Sequence, residues 1–227
     1  MLTPEHKLVA LMPMRHNSER VPGKNYRGFG DGRPLFHHMV DVMLACPIIE
    51  KIVIDTDSPT IKEQCAEKYP QVVVLDRPEH LKDGATPMND VLLRDIQEVQ
   101  SRFYLQTHST NPLLKPETLA CAVETFFKNY PVYDSLFSVT RRQTRYWDSL
   151  ARAINHNPQI LLRTQDLPPV YEENSCIYIF ERETLVTKHN RIGNRPFLFE
   201  IEPMEAQDLD EEIDFQVADL IYKQTRM

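Results

Sequence analysis

The chain runs Lys7-Leu8-Val9-Ala10-Leu11-Met12-Pro13-Met14 and passes directly into Arg15-His16-Asn17-Ser18-Glu19-Arg20-Val21-Pro22-Gly23-Lys24-Asn25. A short, nearly all-apolar run is the pattern of a strand buried on both faces, and such strands belong to parallel sheets covered by helices. Similar runs follow at Ile48–Asp55, Gln71–Leu75, Phe103–Gln106, Ser135–Thr140 and Cys176–Phe180. Helical patterns separate them. Pro34–Ala45 carries Leu35, Met39, Val42 and Met43 on one side, and Ser58–Tyr69 opens with a cap residue and a first-turn proline. Thr86–Pro87 is read as opening a helix in the same way, with Val91, Leu92, Ile96 and Val99 on its stripe. Pro116–Lys128 buries Leu119, Val123, Phe126 and Phe127, and Glu211–Gln224 aligns Ile213, Val217, Leu220 and Ile221. This alternation predicts an α/β fold, a mainly parallel sheet sandwiched by helices. Ligands of such sheets sit beyond the carboxyl ends of the strands, so the loop after the first strand is the first place to look.

No repeat, low-complexity tract or flexible linker divides the 227 residues, so residues 1–227 read as one domain. A formal charge of −7 argues against a nucleic-acid backbone as partner. Cys46, Cys65, Cys121 and Cys176 have no metal or disulfide spacing and read as thiols of a reducing compartment. The apolar run after Glu5, His6 and Lys7 is too short for a signal peptide or a membrane span, so the expected location is cytoplasmic, with no membrane partner.

Arg15, Arg20 and Lys24 lie within ten residues of one another in a segment whose Ser, Asn, Pro and Gly forbid regular structure. Fixed cations, backbone N–H groups and a hydroxyl are what a triphosphate needs, although a solvated basic loop has the same composition. Neither a Walker A loop nor a G-x-G-x-x-G loop is present. Near the other end, Asp208-Leu209-Asp210 places carboxylates at i and i+2. In an extended segment both face one way and make a hard-oxygen site suited to Mg²⁺. Asp208 with Glu211 also has the form of a capping box.

The order strand, Arg-x-x-Ser, Pro-Gly-Lys-Asn, then a late Asp-x-Asp resembles the acylneuraminate cytidylyltransferase (CMP-sialic acid synthetase) family along the whole chain. The resemblance implies a Rossmann-like nucleotidyltransferase fold and transfer of CMP from CTP to a nine-carbon keto-sugar acid. It implies that Arg15, Ser18 and Lys24 hold the triphosphate, with Asn25 near the nucleotide and Asp208 and Asp210 on Mg²⁺. The family has a basic residue directly after the serine; here Glu19 stands there and Arg20 supplies the cation one place later.

Further matches are shorter. Arg77-Pro78-Glu79-His80-Leu81 is similar to the Arg-Pro-x-x-Leu whose arginine approaches the cytosine. His108-Ser109-Thr110-Asn111-Pro112-Leu113 stands where the family has Gln-Pro-Thr-Ser-Pro-Leu, so His108 replaces a ligand-touching glutamine. Arg163 and Gln165 before Leu167-Pro168 resemble the stretch whose arginine pairs with the sugar carboxylate, and Asn174 carries over from a Pro-Asn-Gly. The polar segment Arg141–Glu173 is long for a connection and carries apolar residues such as Trp147, Leu150 and Leu161. The resemblance implies a protruding dimerisation segment there, in a homodimer in which Arg163 approaches the partner's sugar pocket. Two other classes share parts of this pattern: a metal-dependent sugar-nucleotide glycosyltransferase, whose D-x-D follows a mid-chain strand, and a non-catalytic nucleotide- or sugar-binding relative.

Overall fold

Strand β1 is Leu8–Leu11, and all four residues are buried. A computed structural model of the protein describes residues 7–226, so Met1–His6, part of the stretch weighed for an export signal, lie outside the described residues. The expected strand Lys7–Met14 is cut short because Pro13 has no N–H for a ladder. Met12 and Met14 on either side still donate to the carbonyls of Val53 and Asp55, each at 2.9 Å. The chain therefore leaves the sheet already anchored at the start of the basic loop.

A small hairpin follows, β2 (Gly28–Phe29) with β3 (Arg33–Pro34), then α1 (Leu35–Leu44), β4 (Ile49–Thr56), α2 (Pro59–Lys68) and β5 (Val73–Asp76). Next come α3 (Met88–Glu98), β6 (Phe103–Gln106), α4 (Pro116–Asn129), β7 (Ser135–Arg142), β8 (Val170–Glu181), α5 (Arg182–Lys188), β9 (Pro196–Glu200) and α6 (Glu212–Arg226). Seven strands form one sheet in the order β5-β4-β1-β6-β8-β7-β9. The pairs β4–β5, β1–β4, β1–β6 and β7–β9 are parallel, and only β8 runs against its neighbours β6 and β7. The expected mainly parallel sheet is observed.

Residue alternation along β1 divides the core. Leu8, Ala10 and Met12 pack with Phe36 and Met39 of α1 and Leu119 and Val123 of α4. Val9 and Leu11 pack with Leu92 and Ile96 of α3 and Leu185 of α5 on the opposite face. A third cluster joins Val21, Phe29, Leu35 and Leu209 to Phe215 and Tyr222 of α6. This last cluster holds the end of the chain against the loop after β1.

Several expected boundaries are corrected. Ser58 does cap α2, accepting from the Ile61 N–H at 3.3 Å, but Thr86 caps nothing and α3 begins at Met88 after Pro87. Strand β8 starts at Val170, so Glu172–Ser175 are strand residues, and the irregular segment shrinks to 143–169. Helix α5 and strand β9 lie in a stretch to which the sequence pattern assigns no element; β9 opens on a proline and alternates only weakly. The expected stripe of α6 is rotated. Ile213 and Leu220 are 62% and 60% exposed, whereas Phe215 and Tyr222 are buried. Both aromatic rings meet Phe29 edge to face with centroids 5.5 Å apart, and their larger area decides which side turns inward. Gly30, at φ +59, lies under Tyr222: a Cβ there would come within 2.3 Å of the ring. Among the described residues no helix is long and apolar enough to cross a membrane.

The β4 end holds a buried charge cluster. Asp55 pairs with Arg77 and, at 3.0 Å, with Arg94, and the buried Asp95 sits beside Asp55 with Arg94 3.6 Å from one of its oxygens. Burial, then the Asp55 charge, pushes the Asp95 carboxyl well above the usual range. The folded chain thus retains a proton that the unfolded chain releases above its ordinary value of 3.8. Stability from this group is complete below that value and is lost as pH rises toward the folded one. Asp95→Asn, a neutral isostere, is expected to stabilise the protein by roughly 2 kcal/mol at pH 8, and by less at pH 5. Thermal melts at the two pH values check this; a variant that loses stability more at pH 8 than at pH 5 contradicts it.

Candidate active site

The loop after β1 is shaped by Gly23, whose φ of +66 turns the chain left-handed into a single 3₁₀ turn, Lys24–Tyr26. Asn25 fastens it at both ends. Its amide donates to the Arg15 carbonyl at 2.9 Å, and its oxygen accepts from the Ser109 hydroxyl at 2.8 Å. Ser18 accepts from the Val21 N–H at 3.4 Å. Glu19 stands 4.0 Å from Arg15 with its side chain 81% exposed, so it is turned largely to solvent.

Lys24 reaches inward and is only 9% exposed. Its ammonium donates to the carbonyl of Leu209, the residue between the two aspartates. Burial lowers its pKa below the ordinary lysine value, and the charges of Asp208 and Asp210 oppose that shift. Leu209 is fully buried in the third cluster and its N–H donates to the Thr110 carbonyl at 3.0 Å. With Leu209 turned inward, Asp208 and Asp210 line the cavity on the other side.

The capping alternative is corrected here. Asp214, not Asp208, accepts from the N–H groups that precede α6, Asp210 at 3.2 Å and Glu211 at 2.7 Å. Asp208 is left with one buried oxygen lacking any partner, and burial raises its pKa. Asp210 binds Arg20 at 2.5 Å.

These groups converge on a cavity of about 760 Å³ at the carboxyl end of β1 and β6. Of the residues singled out in the sequence, Arg15, Ser18, Glu19, Arg20, Lys24, Asn25, His108, Asp208 and Asp210 line it, Glu19 at its solvent-exposed rim. Arg77 does not; it is buried against Asp55 and borders a smaller adjoining cavity of about 180 Å³ that shares Arg15. Asn174 binds the Ser138 and Thr140 hydroxyls, at 2.6 and 3.0 Å, outside the cavity lining. Arg163 and Gln165 lie in an exposed 3₁₀ turn away from it, Arg163 paired with Asp166 at 2.7 Å. Sequence reasoning missed Asp83, Gly84 and Ser175. An Asp-Gly pair is a turn signal that could have marked the first two. Ser175, at φ +60, belongs to a register jump between β7 and β8 that no local pattern announces.

The donor set can be tested against a divalent cation. Two hard carboxylates, one with an orphaned oxygen, fit Mg²⁺, which keeps waters and substrate phosphates as its other ligands. Among the described residues no third His, Cys, Asp or Glu completes a cluster with them.

A mainly parallel sheet whose first loop presents cations, facing paired carboxylates beyond the strand ends, is an arrangement suited to nucleotidyl transfer. The model of the cytidylyltransferase family matches residues 9–227, and the chain belongs to that family. It is 31% identical to the CMP-N,N'-diacetyllegionaminic acid synthase of Legionella pneumophila, over 92% of this chain and 90% of that one. It is 26% identical to the N-acylneuraminate cytidylyltransferase of Streptococcus agalactiae over 92% of its own length, and spans about half of that longer protein (52%). In fold it is similar to a CMP:2-keto-3-deoxy-manno-octonic acid synthetase solved with CTP. The TM-score is 0.71 at 14% identity, covering 96% of this chain and 99% of that one.

Proposed function

We propose that the enzyme transfers CMP from CTP to the anomeric hydroxyl of an acidic keto-sugar, a sialic-acid-like nonulosonate, releasing pyrophosphate. One observation carries the reading: the cations after β1 and the aspartates before α6, nearly two hundred residues apart in the chain, are brought together on one cavity, and Lys24 bonds the segment that bears the aspartates. Arg15, Arg20 and Lys24 hold the β- and γ-phosphates and neutralise charge as it moves onto the leaving group. Ser18 and the loop N–H groups add donors, and Asn25 keeps the loop in place. Asp208 and Asp210 would hold Mg²⁺, which when bound offsets phosphate charge and acidifies a hydroxyl. Most of the rate then comes from positioning. Four unpaired cysteines, three of them buried, suit the cytoplasm as the place of this reaction. The test is release of pyrophosphate from CTP with a panel of acidic sugars. Turnover with a nonulosonate supports the reading, and nucleotide binding without turnover of any panel member sinks it.

Assembly is part of the proposal. Residues 143–169 expose Leu161, Leu150, Ile154 and Ile160, at 89%, 70%, 58% and 57%. Such apolar area on an ordered segment, tied by Asn155 to the carbonyls of Thr144 and Pro168 (2.7 and 3.0 Å), calls for a covering partner. A second copy of the chain is that partner, and Arg163, remote from its own cavity, serves the neighbour's. Light scattering at micromolar concentration is expected to give a dimer. Mixing Arg163→Ala with Asp208→Asn chains is expected to restore activity that neither variant shows; no recovery after confirmed subunit exchange confines Arg163 to its own subunit.

A further inference from the structure

Behind the cavity lies a chain of three side chains whose hydrogen-bond polarity is fully determined. Arg191, in the loop after α5, stacks on the Tyr178 ring with its guanidinium carbon 3.6 Å from the centroid. It donates to the side-chain oxygen of Gln106 at 2.6 Å. Gln106 is fully buried at the end of β6, and its amide nitrogen lies 3.0 Å from the Thr107 carbonyl and 3.0 Å from Nε2 of His108. A guanidinium can only donate and a carbonyl can only accept. The Gln106 amide is therefore locked from two sides, oxygen toward Arg191 and nitrogen toward Thr107 and His108. Its second N–H meets Nε2, which has to accept.

A histidine whose Nε2 accepts carries its proton on Nδ1. Among the described residues nothing is hydrogen-bonded to Nδ1, and His108 lines the cavity. A doubly protonated ring would set two donors against each other at Gln106. Burial, followed by the charges of Arg191 and Lys24, lowers the pKa of His108 to about 4, in keeping with a ring that stays neutral.

We propose that Arg191 and Gln106 are positioning residues that fix His108 as the neutral Nδ1–H tautomer, and that this N–H donates to an oxygen of the acceptor sugar acid. The second half rests on the cytidylyltransferase reading given above. The sugar rather than the nucleotide is chosen from the sheet order. The phosphate-binding cations leave β1, whereas His108 and its cavity neighbour Ser175 come from β6 and β8, on the side that leads to residues 143–169. The relay acts by specificity as much as by affinity. A fixed donor favours an acceptor oxygen at its position and penalises a substrate group that is itself only a donor.

The first half needs no substrate. Nitrogen-15 NMR of histidine-labelled protein at pH 7, with His108 assigned by its loss in His108→Gln, is expected to show a ring protonated at Nδ1 only. Gln106→Glu offers His108 only acceptors and is expected to move the proton to Nε2. Arg191→Met frees the amide to turn over and is expected to give a mixture. An Nε2–H ring in the wild type overturns the relay whether or not the enzyme turns over. The second half is read by steady-state kinetics with CTP and N-acetylneuraminate. Gln106→Glu is expected to raise KM for the sugar about 10-fold, the effect of one lost hydrogen bond, with KM for CTP unchanged. His108→Ala, which removes the donor altogether, is expected to raise KM for the sugar by about as much as Gln106→Glu does, with KM for CTP unchanged. A rise in KM for CTP alone assigns the donor to the nucleotide and overturns the sugar contact. If no sugar acid in the panel is turned over, the reaction reading fails while the NMR result still decides the relay.

Discussion

Asp208→Asn and Asp210→Asn are each expected to slow CMP transfer by about 100-fold or more while the melting temperature stays level or rises. The two halves of this expectation have separate causes. Asp208 is a half-buried carboxylate with one buried, unpartnered oxygen and a raised pKa, so folding gains nothing from its charge. Removing that charge leaves the α6 start intact, since Asp214 holds the N–H groups there. Asp210 loses an exposed pair with Arg20, which is worth little to stability. What both variants lose is hard-oxygen charge facing the cavity. Initial rates of pyrophosphate release against Mg²⁺ concentration, beside thermal melts, check both halves. A variant that melts early yet keeps its specific activity would make the pair structural.

How far the sequence reveals this site depends on the kind of signal. Strand β1 and the loop after it are legible because buried strands are short apolar runs and ligand loops follow them. Asp208 and Asp210 are legible through i, i+2 alternation, and the fully buried Leu209 between them is the physical counterpart of that reading. The face of α6 is not legible. Ile213, Val217 and Leu220 satisfy helical periodicity as well as Phe215 and Tyr222 do, and only the tertiary partner Phe29 decides between them. Ser175 is hidden because the β7–β8 register jump is a property of two strands together. The relay to His108 is hidden for the same reason: Arg191 and Gln106 are 85 residues apart and meet only in the fold.

Lys24→Ala is expected to lower kcat/KM for CTP by about 100-fold, with a much smaller change in stability. The ammonium does two things at once: it faces the triphosphate cavity, and it holds the Leu209 carbonyl and so the aspartate segment. Its truncation leaves that carbonyl without its donor, but it also removes the cost of keeping a cation buried, so the two stability effects oppose each other. The same burial yields a pH test. Because burial lowers the Lys24 pKa, the free enzyme loses this cation at a pH below the ordinary lysine value of 10.5, and kcat/KM for CTP is expected to fall on that alkaline limb. Lys24→Arg, which cannot be deprotonated in this range, is expected to be slower at pH 7 but to lack the limb. An alkaline limb of equal position in wild type and Lys24→Arg would assign the titration to another group.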